Sequence, residues 1–308
     1  MKVAGATGGL VNNTPLICGG LSLTSRTSNT CYSLKENDVI ATTKLLANRT
    51  FAASIVINED LLWITGGLDM DNNLMHLSSE FIETGKNNSV AGINLPKPLY
   101  RHAMVKVENY LTMVIGGLSL NEANDSNEVY SSVTYYYDHS NQEWTSGPLL
   151  ITGRYGHSAF LVTDEVLNEN MIVVAGGFFL ETLDSTEILH GDKWIAGRDN
   201  FILIFKCNFY RSSLSGPNLP IPLTDITQST APLGKGQAIF GGHNNYTSQN
   251  KIYVINCFSG ECLISQLKQE ISAPRSLSMV IPLPDTISGC VTGGICDQIS
   301  YVFSFTHL

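Results

Sequence analysis

Residues 111–117, Leu-Thr-Met-Val-Ile-Gly-Gly, contain the pattern that decides the fold: a short apolar run that ends in two glycines. The pattern recurs along the chain, with spacings of 47, 50, 60, 65 and 52 residues between successive pairs. A period of roughly 40 to 50 residues is typical of propellers and other repeat arrays. The six pairs are Gly19-Gly20, Gly66-Gly67, Gly116-Gly117, Gly176-Gly177, Gly241-Gly242 and Gly293-Gly294.

Each repeat is expected to form four short strands. A run of small and apolar residues comes first, the diglycine run is second, a β-branched or aromatic run such as Val133-Thr-Tyr-Tyr-Tyr is third, and a final run leads into Gly or Pro. Strand-forming residues broken by Gly, Pro, Asn and Asp indicate strands and turns, and no stretch has sustained helical periodicity. The sequence therefore predicts an all-β domain whose repeats span approximately 1–47, 48–97, 98–150, 151–223, 224–272 and 273–308.

The repeat resembles a known family. An apolar run, Gly-Gly, a polar loop, an aromatic strand and then Trp are similar to the Kelch repeat, most clearly where Tyr135 to Tyr137 precede Trp144 and where Ile188 precedes Trp194. The resemblance covers essentially the whole chain, although the other four repeats lack the late Trp. It implies a six-bladed Kelch-type β-propeller that binds other proteins through loops at one face.

Two departures from the repeat are visible. Residues 198–216 lengthen the fourth repeat, and removing them leaves Trp-Ile-Ala-Gly-Pro-Asn-Leu-Pro, which mirrors Trp144-Thr-Ser-Gly-Pro-Leu-Leu. We expect this segment to be an insertion, either a recognition loop or an annotation artefact. The sixth repeat ends after its third strand, so the last blade is predicted to be incomplete.

Composition narrows the partner class. The chain has 308 residues, of which 43% are hydrophobic and 15% charged, and a net charge of −9. An ordered domain is therefore expected, and neither nucleic acid nor an anionic membrane surface is a favoured partner. No apolar run reaches transmembrane length, so no membrane insertion is expected. The first nine residues lack the apolar core of a signal peptide, and the protein is expected to be a monomer.

The cysteines and glycosylation motifs suggest an extracellular protein. Three local cysteine pairs are predicted, and Cys207 lies in the inserted segment. The predicted pairs are Cys18 with Cys31, Cys257 with Cys262 and Cys290 with Cys296. Asn-X-Ser/Thr sequons begin at Asn12, Asn48, Asn87, Asn124 and Asn245. The alternative is a cytoplasmic protein with reduced cysteines and chance sequons. The cysteine spacings do not fit a zinc site.

Enzymatic motifs are missing from the sequence. It contains no Gly-X-Ser-X-Gly elbow, His-Glu-X-X-His motif or phosphate-binding loop. We therefore expect a non-enzymatic scaffold without a cofactor or metal. One alternative is a copper-radical oxidase, because galactose oxidase is built on a Kelch-like propeller. Another is the substrate-recognition part of a ubiquitin-ligase adaptor.

Four arginines are candidates for a binding surface. Arg49, Arg101, Arg154 and Arg275 each stand near the entry to a predicted inner strand, one in each of four repeats, and His102 and His157 lie in nearly the same register. In a propeller these positions would surround one mouth of the central channel. A ring of guanidiniums there would bind a protein or acidic peptide ligand through its carboxylates. In the alternative interpretation, each Arg ties its blade to the next, and Glu80 and Glu187 are also structural.

Overall fold

The computed structural model describes residues 3–22, 26–35, 38–83, 85–121, 124–164, 169–197, 218–226, 230–233, 236–244, 247–258, 261–275, 279–280 and 302–303. All of its regular elements in these ranges are strands. They are β1 Val3–Ala4, β2 Thr7–Val11, β3 Thr14–Cys18, β4 Leu21–Ser22, β5 Thr30–Lys35, β6 Asp38–Lys44, β7 Ala53–Asn58, β8 Leu61–Thr65, β9 Leu68–Asp69, β10 Leu74–Met75, β11 Ser79–Glu83, β12 Val90–Ala91, β13 Ala103–Glu108, β14 Leu111–Ile115, β15 Leu118–Asn121, β16 Asn124–Tyr130, β17 Thr134–Asp138, β18 Glu143–Ser146, β19 Ser158–Thr163, β20 Asn170–Ala175, β21 Phe178–Phe179, β22 Glu181–Thr182, β23 Thr186–His190, β24 Lys193–Ala196, β25 Thr230–Leu233, β26 Gly236–Phe240, β27 His243–Asn244, β28 Thr247–Phe258, β29 Glu261–Arg275, β30 Met279–Val280 and β31 Val302–Phe303.

These strands build a β-propeller in which five four-stranded antiparallel blades are described. In chain order, blades 1 to 5 are β2-β3-β5-β6, β7-β8-β11-β12, β13-β14-β17-β18, β19-β20-β23-β24 and β25-β26-β28-β29. The first strand of each blade lies next to the channel, since β2 contacts β7, β7 contacts β13 and β13 contacts β19. Of the sixth repeat, the described part is the pair β30 and β31. The all-β propeller class predicted from the diglycines is thereby confirmed.

The hydrophobic core lies between neighbouring blades. Strands of blades 1 and 2 meet through Val11, Leu16, Leu62 and Ile64, and equivalent apolar layers separate each following pair of blades. Both faces of a blade are covered in this way, and the diglycine strands consequently read as continuous apolar runs rather than alternating ones. Each blade therefore needs its neighbour to bury its apolar surface.

The diglycine is the point where one blade is joined to the next. At Gly66-Gly67, the N–H of Gly66 donates to Ser78 O within blade 2 (3.0 Å), and the N–H of Gly67 donates to Leu99 O of blade 3 (2.8 Å). Both glycines have positive φ angles (60° and 99°). A Cβ on Gly66 would lie 2.2 Å from Leu99 O. Glycine is required here because the next blade's backbone occupies the space of a side chain.

A chain of backbone hydrogen bonds connects the blades around one mouth of the channel. It involves the segments that precede the inner strands, which we call the entry segments; they are residues 3–6, 48–52, 99–102, 154–157 and 223–226. One residue in each has positive φ, and these residues are Gly5, Phe51, Arg101, Gly156 and Asp225. The bonds run from Phe51 N to Gly5 O (2.8 Å), Arg101 N to Phe51 O (2.8 Å), Gly156 N to Arg101 O (2.9 Å) and Ile226 N to Gly156 O (3.0 Å).

The end of the propeller that carries the entry segments is called the entry face. The diglycines also reach this end, where the chain turns back in the hairpins β9–β10, β15–β16 and β21–β22. Single bridges join entry segments to these hairpins: Thr50 to Leu68, Tyr100 to Leu118 and Tyr155 to Phe178. Side chains from several blades consequently meet around the mouth.

Two of the three predicted cysteine pairs are confirmed. Disulfides join Cys18 to Cys31 and Cys257 to Cys262, and in both cases the two residues are direct partners on adjacent antiparallel strands. The pair Cys290 and Cys296 and the predicted insertion 198–216 with Cys207 lie outside the described residues. No helix long and apolar enough to cross a membrane occurs in the described ranges.

Candidate binding site

Arg49 is buried inside blade 2. Its guanidinium forms an ion pair with Glu80, and it also donates to the carbonyl oxygen and the hydroxyl of Ser78 (3.2 and 3.1 Å) and to Gly66 O. Glu80 in turn accepts from the backbone N–H groups of Leu46 (2.7 Å) and Ala47. The side chain of Arg49 therefore ties the entry segment to the diglycine and third strand of the same blade.

Arg154 repeats this arrangement in blade 4. Its guanidinium donates to Gly176 O (2.8 Å), Ser185 O (3.0 Å) and Glu187 Oε1 (2.7 Å), and both side chains of the ion pair are buried. Burial lowers the pKa of the Arg154 guanidinium, while the charge of Glu187 opposes that shift. Neither Arg49 nor Arg154 presents a free guanidinium to a ligand.

The other blades use an apolar and aromatic pair at the same two positions. Strand register places Tyr32, Tyr135 and Tyr253 where Glu80 and Glu187 stand. The backbone oxygens of Leu99 and Leu223 accept the diglycine N–H, as those of Arg49 and Arg154 do. In blades 2 to 5, Arg at the first position occurs with Glu at the second, and Leu at the first occurs with Tyr at the second.

Arg101 occupies a different position from Arg49 and Arg154. Leu99, two residues earlier, is the residue of blade 3 whose carbonyl contacts the diglycine. Arg101 instead aligns with Phe51, Gly156 and Asp225 in the chain of positive-φ residues around the mouth. The structure thus separates the arginines that sequence spacing grouped together. Arg275 is the last residue of β29, opposite Gln249, and its side chain lies outside the described part.

The guanidinium of Arg101 lies between aromatic rings and a carboxylate. It is 4.3 Å from the ring centroid of Phe51 and 5.4 Å from that of Tyr155, within cation–π range. It donates to Asp225 Oδ1 (2.7 Å), and both side chains of this ion pair remain partly exposed, at 22% and 14%. Gly156 of blade 4 donates its N–H to Arg101 O (2.9 Å), and a Cβ on this glycine would lie 2.8 Å from Thr224 Oγ1 and 3.4 Å from Asp225 Oδ1.

Beside Arg101, the entry face contains a cleft of about 460 Å³, called here the mouth cleft. Leu68, Met70 and Leu118 from the diglycine hairpins form its apolar part. Its aromatic and charged side chains are Phe51, Tyr100, Arg101, Glu128, Tyr130 and Tyr155. Blades 2, 3 and 4 all contribute to this lining.

One wall of the mouth cleft is a group of packed aromatic rings. Tyr130 and Tyr155 are stacked with centroids 5.9 Å apart, and Tyr130 also contacts Phe178 (6.2 Å) and Phe179 (5.3 Å). These contacts join the hairpins β15–β16 and β21–β22 side by side. A rigid aromatic wall of this kind offers a large contact area at little cost in conformational entropy.

Tyr100 and Glu128 form the polar side of the cleft. The hydroxyl of Tyr100 donates to Glu128 Oε1 (2.8 Å). Burial, together with the hydrogen bond to Glu128 and its negative charge, raises the pKa of Tyr100 well above its usual value. The phenol therefore remains a donor across the physiological pH range, and it orients the carboxylate of Glu128.

His102 and His157 are fully buried between blades. The Nε2 of His102 is 2.8 Å from Thr65 Oγ1, and its ring packs against Gly66 of the preceding blade, as that of His157 packs against Gly116. Burial lowers the pKa of each imidazole to about 3. Both rings are therefore neutral near pH 7 and present no cationic imidazolium to a ligand. Among the described residues, no group of three or more His, Cys, Asp or Glu side chains is arranged to hold a metal ion.

The predicted glycosylation sites differ in exposure. Asn12 and Asn87 lie in exposed turns, whereas Asn48 is half-buried in the entry segment of blade 2. Asn124 begins β16, and neither its side chain nor Asn245 falls within the described side chains.

Sequence reasoning found Arg101 but missed the cleft around it. Glu128 and Tyr130 lie in the hairpin after Gly116-Gly117, where the repeat has no fixed pattern, and Tyr100 lies in the entry segment of blade 3. Counting back from the diglycine was the available signal between blades 2 and 3, since Arg49 stands 17 residues before Gly66 and Leu99 stands 17 before Gly116. The count does not extend to blade 4, where Arg154 stands 22 residues before Gly176. That count would have aligned Leu99, rather than Arg101, with Arg49.

Comparison with known proteins supports the fold. No protein-family model matches this chain, and no curated protein matches its sequence. A solved structure titled "Structure of YjhT" superimposes with a TM-score of 0.67, covering 85% of this chain and 84% of that chain at 12% sequence identity. At that identity the likeness shows the β-propeller fold and nothing about activity.

Proposed function

We propose that this chain is a non-enzymatic, protein-binding scaffold whose partner docks on the entry face over the mouth cleft. The observation that carries the proposal is the exposed apolar rim beside the cleft. Leu180, at the tip of β21–β22, is 74% exposed in a positive-φ conformation (60°), and Val129 and Phe179 next to the aromatic wall are 36% and 37% exposed. Protruding apolar side chains beside a formed cleft are typical of protein-interaction sites.

The finer parts of the proposal concern closure and location. We propose that the sixth repeat, with Gly293-Gly294, forms an incomplete sixth blade of a Kelch-type propeller. The two disulfides are compatible with an extracellular location, and we propose a secreted glycoprotein on that basis together with the sequons. For an acidic peptide, the ligand suggested by the sequence, Arg101 has the accessible guanidinium among the three ring arginines whose side chains are described, and the peptide would have to replace Asp225 there.

Paired surface variants test the proposed face. Wild type, Leu180→Asp and Tyr110→Asp would serve as baits for the same extract; Tyr110 is 49% exposed in the β13–β14 turn at the opposite end of the propeller. A partner retained by wild type and Tyr110→Asp but lost by Leu180→Asp is expected. Loss through Tyr110→Asp alone would move the site to the other face. Stoichiometric copper in the purified protein would favour the oxidase instead.

A further inference from the structure

The mouth cleft has an excess of negative charge. Two of its lining side chains, Arg101 and Glu128, are charged. Asp225 already neutralises Arg101 at 2.7 Å, which leaves the charge of Glu128 uncompensated at the cleft. Among the described side chains, no Lys or Arg forms an ion pair with Glu128. Since the whole chain carries −9, its long-range field also favours a cationic ligand.

Arg101 shows how this surface holds a guanidinium. Its planar group packs near Phe51 and Tyr155 while a carboxylate accepts its N–H. Strand β16 brings the same two components to the lining of the cleft, namely the ring of Tyr130 and, two residues earlier, the carboxylate of Glu128. Arginine suits such a site better than lysine because its flat fork both stacks on a ring and bonds a carboxylate with two N–H groups.

Glu128 retains acceptor capacity. An ionised carboxylate has about four lone-pair sites, and the Tyr100 hydroxyl occupies one of them on Oε1. The donated phenol holds the carboxylate in place without cancelling its charge. Its negative charge also reaches Tyr155, whose pKa is raised first by burial and further by Asp225, Tyr130 and Glu128, against Arg101. The carboxylate of Glu128 is therefore close enough to the ring of Tyr155 for its charge to act on that part of the aromatic wall.

We propose that the mouth cleft binds an arginine side chain of a partner protein, which pairs with Glu128 and stacks on Tyr130, and that apolar residues flanking this arginine contact Val129 and Leu180. The inference rests on the proposed protein-binding function and names the chemistry of the partner. It gives the ligand the opposite charge to the acidic peptide suggested by the arginine spacing.

Three pentapeptides test the charge. Acetylated and amidated Gly-Leu-Arg-Leu-Gly, its uncharged citrulline analogue and its glutamate analogue would be titrated into the full chain by calorimetry or NMR at low salt. Citrulline keeps the shape of arginine but cannot form charge-assisted hydrogen bonds, so it should weaken binding about tenfold or more. Tighter binding of the glutamate peptide, equal binding of citrulline, or no saturable binding of the arginine peptide would overturn the proposal.

Matched variants test the residue. Glu128→Gln retains an acceptor for Tyr100 and removes the charge, and we expect it to weaken the arginine peptide about tenfold. Glu181→Gln removes an exposed carboxylate of the neighbouring hairpin that does not line the mouth cleft, and binding should therefore stay within about twofold of wild type. Unchanged binding by Glu128→Gln would refute the assignment. If none of the peptides binds while Leu180→Asp still fails to retain the partner protein, the proposed scaffold function is supported and the proposed arginine site is refuted.

Discussion

Replacing Gly66 by alanine would place a methyl group between blades 2 and 3. The new Cβ would lie 2.2 Å from Leu99 O and 2.9 Å from His102 Cε1. Gly66 also has φ +60°, a conformation that alanine adopts at a cost. Gly191, in the turn between β23 and β24, has the same φ of +60° but nothing within 4 Å of the added Cβ. The two glycines separate backbone strain from the clash.

The expected losses follow from this geometry. Gly191→Ala should cost the left-handed strain alone, about 1 kcal/mol. For Gly66→Ala, the carbonyl of Leu99 would have to retreat by about 1 Å to reach ordinary contact, which stretches the 2.8 Å bond from Gly67 N beyond hydrogen-bonding range. Overpacking costs roughly 1–3 kcal/mol and the lost bond about 1 kcal/mol. The total for Gly66→Ala is about 3–5 kcal/mol.

Urea unfolding followed by tryptophan fluorescence measures both free energies of unfolding. Gly66→Ala should shift the midpoint to a much lower urea concentration, whereas Gly191→Ala should shift it slightly. Equal losses for the two variants would mean that glycine is present in the diglycine for its φ angle alone. The explanation of the repeat as a steric lock between blades would then be refuted.

Three further outcomes are expected. Arg49→Leu alone should lower the free energy of unfolding by about 3–5 kcal/mol because it leaves Glu80 buried and unpaired. Adding Glu80→Tyr should recover most of this loss in urea unfolding. If nothing is recovered, the Arg–Glu and Leu–Tyr pairs are not interchangeable. The pKa of His102 is about 3 in the folded state and 6.5 in the unfolded state. The contribution of His102 to stability is therefore fully present above pH 6.5 and is lost as the pH falls toward 3. Between pH 7 and pH 5, the free energy of unfolding should fall by about 2 kcal/mol less in His102→Gln than in wild type. The same pH dependence in both proteins would argue against a neutral buried ring. After secreted expression, non-reducing peptide mapping should recover Cys18 linked to Cys31, and free thiols at both positions would oppose the extracellular location.

The fold could be predicted because its signal repeats. The four diglycines from Gly19-Gly20 to Gly176-Gly177 all make the same contact with the next blade, so sequence alone displays the constraint several times. The third strand around Tyr135 and the disulfide between Cys257 and Cys262 were predictable for a similar reason, since both follow from local strand and turn patterns. Closure by the sixth repeat stays a prediction.

The site was less predictable because the repeat does not determine it. Arg49 and Arg154 were grouped with Arg101 by spacing, but a shift of two residues decides whether a side chain enters the blade or faces the channel. The carboxylate of Glu128 and the ring of Tyr130 come from the hairpin β15–β16. The equivalent hairpins of the other blades share no sequence pattern with it. Contacts between hairpins of different blades leave no periodic trace in the sequence.

The sequence by itself determined that apolar strands ending in Gly-Gly recur and must pack blade against blade. It did so because a buried backbone contact tolerates only glycine, whatever the rest of the chain contains. The tertiary structure alone decided which charged side chains are neutralised in ion pairs inside the blades and which lie at the mouth of the channel. Glu80 neutralises the charge of Arg49 from 31 residues away in the sequence, and Arg101 pairs with Asp225 across 124 residues. Such partners meet only after the blades have been arranged around the channel. The diglycines therefore predicted the propeller from sequence, whereas the cleft became visible only in the tertiary structure.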